Sequence, residues 1–240
     1  MAEYKILHIY SDLLDLYGDY TNVTSVRRAL EQMGHSCCVH TVQLGEEIRP
    51  AGYDLVYIGH GKAKNLAAAA PHFQQYAGAV TEAVEQGVLF LVTGNARLLF
   101  GRSFETPDGR EEAGIGLFDY HGRETGKVFT GDVLSHPVFR EELTCYGFVN
   151  RTSHIVGENR FPLFRLIKGP GDSDAAGGTE GTLYKNFFGT WQMGPLLARN
   201  PELLRELLRR MTGDEYREVD LALQERALAI TLAEFGDLSK

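Results

Sequence analysis

The stretch whose pattern is most typical of a catalytic element covers residues 88–100 and reads VLFLVTGNARLLF. An apolar run stops at Thr93-Gly94-Asn95-Ala96, and a helix-like apolar pattern follows at once. A strand, a tight turn and a helix in this order can hold a nucleophile on a strained, exposed backbone position. The central residue here is Gly94, so the stretch has the shape for nucleophilic chemistry without a nucleophile.

Two further residues near predicted strand ends could take part in chemistry. His60, in the turn Gly59-His60-Gly61, follows the strand-like run 54–58 and could act as a base. A hydrogen-bonded loop histidine is the simpler interpretation. Arg97 could pair with an acidic ligand or partner group, although packing around the turn is the simpler role for it.

Metal and cofactor signals are weak in this sequence. The acidic group Asp12, Asp15 and Asp19, with Tyr17, could suit a metal ion, but a loop that caps the helix predicted after it explains the group more simply. Histidines and cysteines show no metal spacing, and no dinucleotide or P-loop pattern occurs. We therefore expect no metal and no cofactor.

Composition limits the classes of partner. The chain has 240 residues, of which 43% are hydrophobic and 23% charged, with a net charge of −8. This charge argues against nucleic acid or an anionic membrane surface as the main partner. No apolar run approaches the roughly 18 residues of a membrane span, and the N-terminus reads as a strand rather than a signal peptide. We expect a cytoplasmic protein with reduced thiols, in which Cys145 is a small buried residue.

Alternating strand and helix patterns predict the fold. Apolar runs separated by helical periodicity in the first half favour an α/β fold with a mostly parallel central sheet flanked by helices. In such a sheet the functional crevice lies beyond the carboxyl ends of the strands, where both turns fall. The predicted strands are 5–10, 36–42, 54–58, 88–93, 115–120, 127–133 and 163–168, and the predicted helices are 22–33 and 65–86, the second in two pieces around Pro71.

The C-terminal part is predicted to be less regular before it becomes helical. Residues 169–181 read as a flexible loop without core residues, and a helix begins at Pro201. A last helix over 214–235 carries an apolar stripe, Val219, Leu223, Ala227 and Ile230, which we expect to pack on the domain rather than form a partner surface. We divide the chain into a domain of residues 1–212 and a helical extension of residues 213–240.

An ordered set of motifs resembles a known family. The set comprises YSDLLDLYGDYTNV (10–23), DLVYIGHGKAKN (54–65), GVLFLVTGNARLLFG (87–101), TPDGREEAGIGLFDY (106–120), TGDV (130–133), YGFVNR (146–151) and EGTLYKNFFGTWQMGPLL (180–197). Together they are similar to class I glutamine amidotransferases of the cobyric acid synthase type. The resemblance implies the fold of that family and a glutaminase in which a cysteine on the strand–turn–helix attacks glutamine. In such an enzyme a histidine before a Gly-Pro pair activates the cysteine, and the backbone N–H groups of a Gly-Gly-Gly loop stabilise the oxyanion.

The sequence departs from that family at the positions that matter for the chemistry. Gly94 stands where the family has its cysteine, and Met193 stands where it has its histidine. Gly59-His60-Gly61 stands in place of the Gly-Gly-Gly loop. We therefore predict no catalytic residues and a degenerate pocket, formed by Gly59, His60, Gly61, Gly94, Asn95, Arg97 and Met193.

Three functional hypotheses remain open at this point. The resemblance implies a heterodimer with an ATP-using, Mur-ligase-like subunit that amidates a cell-wall precursor, and the leading hypothesis is a structural or regulatory subunit with a lost glutaminase site. The second is an active glutamine-hydrolysing subunit that uses other residues, such as His60 or Arg97. The third is a module that binds glutamine or another small molecule for a different partner.

Overall fold

The computed structural model describes residues 1–173 and 178–236, which form two β-sheets and six α-helices. The strands are β1 (Glu3–Ile9), β2 (Ser36–Val42), β3 (Leu55–Ile58), β4 (Leu89–Thr93), β5 (Ser103–Glu105), β6 (Glu111–Ala113), β7 (Tyr120–Pro137), β8 (Cys145–Gly157), β9 (Phe164–Lys168), β10 (Thr179–Glu180), β11 (Thr182–Tyr184) and β12 (Phe187–Thr190). The helices are α1 (Thr21–Gln32), α2 (Ala63–Gln74), α3 (Ala77–Glu85), α4 (Leu196–Arg199), α5 (Pro201–Thr212) and α6 (Ala222–Ala233), and short 3-10 helices cover Gly94–Phe100 and Gly213–Glu215.

The first sheet is parallel apart from one edge pair. Over the described residues its strand order is β11-β12-β4-β3-β1-β2, and only β11 and β12 run antiparallel. In register, Ile9 pairs with Ile58, Ile58 with Val92, and Thr190 with Thr93. The carboxyl ends of β1, β3, β4 and β12 therefore meet at one edge. This arrangement confirms the predicted α/β class with a mostly parallel central sheet and flanking helices.

Helices cover both faces of this sheet. Ile6 and Tyr57 face the side on which α1 and α5 pack, whereas Val56 and Phe90 face the side on which α2 and α3 pack. Strands buried on both faces need apolar side chains at successive positions, which explains the continuous apolar runs in β3 and β4.

The second sheet forms a wall beside the carboxyl edge of the first. Its order is β10-β9-β7-β5-β6, with β8 paired to β7 in a long hairpin. Phe148 of β8 forms an isolated antiparallel bridge with Met193, which follows β12. This bridge fixes the hairpin against the segment that leaves the first sheet.

Two of the predicted element boundaries are wrong. Residues 115–119 are not a strand, because their N–H groups satisfy the 3-10 helix instead: Ile115 donates to the Leu99 carbonyl and Phe118 to the Phe100 carbonyl. The helical region 65–86 does form two helices, α2 and α3. The break falls at residues 75–76, however, and Pro71 lies inside the last turn of α2.

The C-terminal predictions need correction as well. Residues 174–177 and 237–240 lie outside the described residues. The described residues of this loop, 169–173 and 178–181, do contribute to the interior, because Asp172 and Glu180 are buried. The last α-helix, predicted over 214–235, is limited to α6, and the residues of its predicted apolar stripe differ in burial. Val219 is buried before the helix begins, but Leu223 and Ile230 are 70% and 67% exposed. No helix among the described residues is long and apolar enough to span a bilayer.

Candidate functional site

The strand–turn–helix at residues 93–97, here called the elbow, lies at the carboxyl edge of the parallel sheet. β4 ends at Thr93, and the chain turns at Gly94 with a φ of +59° into the 3-10 helix. Phe100 at the end of that helix packs against Phe90 and Phe187, with ring centroids 6.3 Å and 4.8 Å away. The aromatic contacts hold the elbow rigidly above the sheet.

The imidazole of His60 fills the space that a side chain at position 94 would need. A Cβ placed on Gly94 would collide with Nδ1 of His60 and would lie 2.6 Å from its Cβ and Cγ. The positive φ also favours glycine over any residue with a Cβ. Gly94 and His60 are therefore compatible with each other, whereas a cysteine at 94 is not compatible with His60 in this position.

His60 also accepts a hydrogen bond from a backbone N–H group of the elbow. Its Nδ1 accepts the backbone N–H of Asn95 at 3.1 Å, which assigns the ring proton to Nε2. The ring is buried and stacks on Tyr17, with centroids 5.8 Å apart. Burial lowers the pKa of His60 to about 4, so the imidazole is neutral at pH 7.

The backbone N–H groups that could stabilise an oxyanion are engaged inside the molecule. The N–H of Gly61 donates to Asn95 Oδ1 at 3.0 Å, and Asn95 Nδ2 donates to the Gly61 carbonyl at 2.8 Å. The N–H of His60 donates to the Asp19 carboxylate at 2.6 Å. Together with the Asn95 N–H, three donors around the elbow thus have protein acceptors.

Asp19 joins the three segments of the site. Its Oδ2 accepts the His60 N–H and the Thr93 hydroxyl, each at 2.6 Å. Its Oδ1 accepts the Gly194 N–H at 2.7 Å and the Asn22 side-chain amide at 3.2 Å. Complete burial raises the pKa of this carboxyl, and the donated hydrogen bonds oppose that effect. One carboxylate therefore fixes the loop after β3, the elbow and the segment after β12.

Met193 is placed by its backbone rather than by any contact with the cavity described below. It is buried, and its N–H donates to the Phe148 carbonyl at 3.0 Å. The next residue, Gly194, lies so close to the Tyr17 carbonyl that a Cβ there would collide with it. A thioether has no basic nitrogen, so this position cannot accept a proton from a nucleophile.

A cavity of about 300 Å³ opens beside the elbow, between the two sheets. Its wall combines polar and aromatic residues and includes Tyr17, His60, Gly61, Lys62, Asn95 and Trp191. The indole N–H of Trp191 has no hydrogen-bond partner among the described residues. The β7–β8 hairpin adds Glu124 and Asn150–Ser153 to the wall. The size suits a small molecule.

Arg97 is buried away from this cavity. Its guanidinium forms ion pairs with Asp172 and Glu180 and donates to the Thr182 hydroxyl at 3.2 Å. It also lies over the Trp191 ring, with Cζ 5.5 Å from the centroid. Arg97 therefore connects the elbow helix to the β10–β11 region, and the alternative that it pairs with an acidic ligand is not supported.

The other candidate residues do not form a site. Cys145 is buried, and burial raises the pKa of its thiol to about 12, so it stays protonated. Asp15 accepts the N–H of Tyr20, the residue before α1, at 2.7 Å, but no side chain caps this helix, so the predicted capping role is not confirmed. No cluster of acidic, histidine or cysteine side chains in the described part of the chain could hold a metal ion.

Sequence reasoning placed Gly59, His60, Gly61, Gly94 and Asn95 together, and the structure brings them together. It missed the role of Asp19, because a carboxylate in a polar loop reads as a capping residue. Trp191 and the hairpin residues were missed as well, since the buried side of β8 includes the polar residues Arg151 and Ser153 and so lacks an apolar alternation. The signal in the sequence that could have indicated Asp19 is the Gly18-Asp19 pair in the loop before α1.

The fold is that of glutamine amidotransferases. A solved structure described as a glutamine amidotransferase superimposes with a TM-score of 0.54 at 13% identity, covering 85% of this chain and 98% of that one. PurLQS from Thermotoga maritima superimposes with a TM-score of 0.52 at 17% identity, covering 95% and 99%. These similarities concern the fold alone.

Sequence comparison gives the family. The family model of the CobB/CobQ-like glutamine amidotransferase domain matches residues 5–201, and the chain belongs to this family. It is 31% identical over 212 residues to the lipid II isoglutaminyl synthase (glutamine-hydrolyzing) subunit GatD of Staphylococcus aureus, covering 87% of this chain and 84% of that protein. It is 27% identical over 234 residues to the subunit of the same name from Streptococcus pneumoniae, covering 96% and 89%.

Proposed function

We propose that this chain is a GatD-like subunit of a lipid II-amidating complex whose own glutaminase site has lost its chemistry. Its role is to stabilise or regulate an ATP-using, Mur-ligase-like partner, with which it forms a heterodimer. The similarity to two proteins named as subunits of lipid II isoglutaminyl synthase supports the complex. The position of His60 over Gly94 supports the loss of chemistry and is the observation that carries the proposal.

Glutamine hydrolysis through a thioester needs a nucleophile, a base and free oxyanion donors. Gly94 offers no nucleophile, and Met193 offers no base. The Asn95 N–H, which follows the nucleophile position, is already accepted by His60. Loss of one member of a nucleophile–base pair already costs several orders of magnitude in rate. Three coordinated changes favour a site adapted to a role without hydrolysis.

The competing enzyme hypothesis lacks a suitable nucleophile. Cys145 is buried and protonated at pH 7, and Arg97 is held by two carboxylates. His60 has no adjacent nucleophile to activate within the described residues. The binding hypothesis has better support, because the cavity beside the elbow offers a place for a small molecule. We regard glutamine binding without hydrolysis as compatible with the subunit role.

The test is release of glutamate from glutamine, measured on the purified chain alone and with its Mur-ligase-like partner. The Staphylococcus aureus relative, assayed under the same conditions, is the positive control. We expect the relative to release glutamate and this chain to stay at the buffer rate in both states, while still co-purifying with the partner. Glutamate release by this chain at a rate like that of the control would refute the loss of chemistry. Failure to bind the partner would refute the subunit role.

A further inference from the structure

A second group of side chains with nucleophilic potential lies on β2, the edge strand of the parallel sheet. The sulfur of Cys38 lies 3.1 Å from Nε2 of His40. Nδ1 of the same ring lies 2.9 Å from the hydroxyl of Tyr53, which comes from the loop before β3. A nucleophile, a base and a third group that orients the base are the three parts of an activated nucleophile.

The strand places these residues on one face and keeps them accessible. Residues two apart in a strand share a face, so Cys38 and His40 point to the same side, and both remain in contact with solvent. β2 ends the described sheet, so no further strand covers its outer side. Tyr53 packs against the core and orients the imidazole, since its ring meets that of His40 edge-on, with centroids 5.6 Å apart.

The other two cysteines are in different surroundings. Cys37 points to the opposite face, where it packs against the core cluster that includes α1, and burial raises the pKa of its thiol to about 11. Cys145 is fully buried. Charged residues on the elements beside this pair include Lys5, in register with Cys38 on β1, and Asp54, whose carboxylate accepts the Lys5 N–H. The chain thus contains two matched controls for Cys38.

We propose that Cys38 is a reactive thiol, activated by His40 and oriented through Tyr53, that is modified by small hydroperoxides. His40 Nε2 takes the thiol proton, while its Nδ1–H donates to the Tyr53 oxygen. The thiolate attacks one peroxide oxygen, so that an S–O bond forms and the O–O bond breaks. The departing hydroxide takes the proton from the imidazolium and leaves as water. Sulfur is oxidised by two electrons to sulfenic acid, and the peroxide is reduced.

The experiment treats the full chain with hydrogen peroxide and dimedone and measures the labelling rate of each cysteine by mass spectrometry. We expect Cys38 to be labelled first and Cys37→Ser to leave its rate unchanged. His40→Ala lowers the Cys38 rate about tenfold near pH 7, because no imidazole is then in place to take the thiol proton. Tyr53→Phe lowers the labelling rate of Cys38 by a smaller factor than His40→Ala does. Melting temperatures check that the variants stay folded.

The pH profile separates activation from simple exposure. With activation, the rates of the natural chain and of His40→Ala converge at high pH, where the thiol ionises without help. If exposure alone made Cys38 reactive, removing the imidazole would leave its rate unchanged or raise it at every pH, and the proposal would be overturned. Faster labelling of Cys37 or Cys145 than of Cys38 would overturn it as well. The crevice plays no part in this test.

Discussion

His60, Gly94 and Asn95 depend on one another. The imidazole fits only because position 94 has no Cβ, and once in place it accepts the Asn95 N–H. The Asn95 side chain in turn satisfies both the N–H and the carbonyl of Gly61. A cysteine returned to position 94 alone would meet the imidazole, so the state without a nucleophile is stabilised by its neighbours.

At the same scale, Asp19→Ala should destabilise the fold strongly. The substitution leaves two backbone N–H groups and the Thr93 hydroxyl buried without their acceptor. Donors of this kind are costly to leave unpaired, and we expect a loss of about 3–5 kcal/mol in the free energy of unfolding. Urea denaturation measures it, with Asp12→Ala at an exposed position as the control. A loss no larger than that of the control would contradict the role of Asp19.

His60 should make stability depend on pH. Its folded pKa of about 4 lies below the ordinary value of 6.5, so the unfolded chain binds the proton first as pH falls. The contribution of His60 is complete above pH 6.5, decreases between 6.5 and 4, and amounts to about 3 kcal/mol. His8, whose pKa burial also lowers to about 4, adds to the same slope. His60→Asn should therefore reduce this slope by about one proton, whereas His121→Asn at an exposed position should leave it unchanged.

At the scale of elements, the strands and helices that have a clear apolar periodicity were predicted from the sequence. The strands β3 and β4 carry continuous apolar runs, and β1 and β2 carry apolar residues between polar ones; all four were predicted. Of the β7–β8 hairpin only residues 127–133 were predicted as a strand, and β8 was missed because its buried side includes Arg151 and Ser153, which break the apolar alternation. The strand predicted at 115–120 failed because its N–H groups bond to the 3-10 helix, which is a tertiary effect.

The C-terminal extension offers a test at this scale. Val219 and Leu221 are buried against the core cluster that includes α1 and α5, whereas α6 buries none of its residues. A chain that ends at residue 221 should keep most of its stability. A chain that ends at residue 212 should lose about 3–5 kcal/mol, since two buried apolar side chains are removed. Thermal and urea unfolding compare the two. Equal stability would mean that 213–221 contributes nothing to the domain.

At the scale of the whole molecule, the two sheets meet at the cavity, and the chain's only tryptophan, Trp191, lies in its wall. The sequence predicted the turns on one side of the cavity, but the side formed by the hairpin could not be predicted from local pattern. The proposed loss of chemistry depends on this assembled site, whereas the proposed partner rests on the similarity to the two relatives. The family itself follows from motifs spread over the chain.

Trp191 therefore gives a direct readout of ligand binding. We expect L-glutamine at millimolar concentration to change the tryptophan emission saturably and to raise the melting temperature, because a ligand that binds only the folded state stabilises it. D-glutamine is the matched control for the shape of the cavity. No change in either signal with L-glutamine would mean that the crevice has lost binding as well as chemistry.

The most direct test of the central claim compares glutamate release by three proteins: the natural chain, the Gly94→Cys/Met193→His variant, and a variant that also carries His60→Gly and Asn95→Gly. We predict that the first two release no glutamate, because His60 still fills the space beside position 94 in the second. The four-position variant should release glutamate, provided that its melting temperature shows it to be folded. Hydrolysis by the natural chain, or by the variant that retains His60, would contradict the loss of chemistry at the elbow.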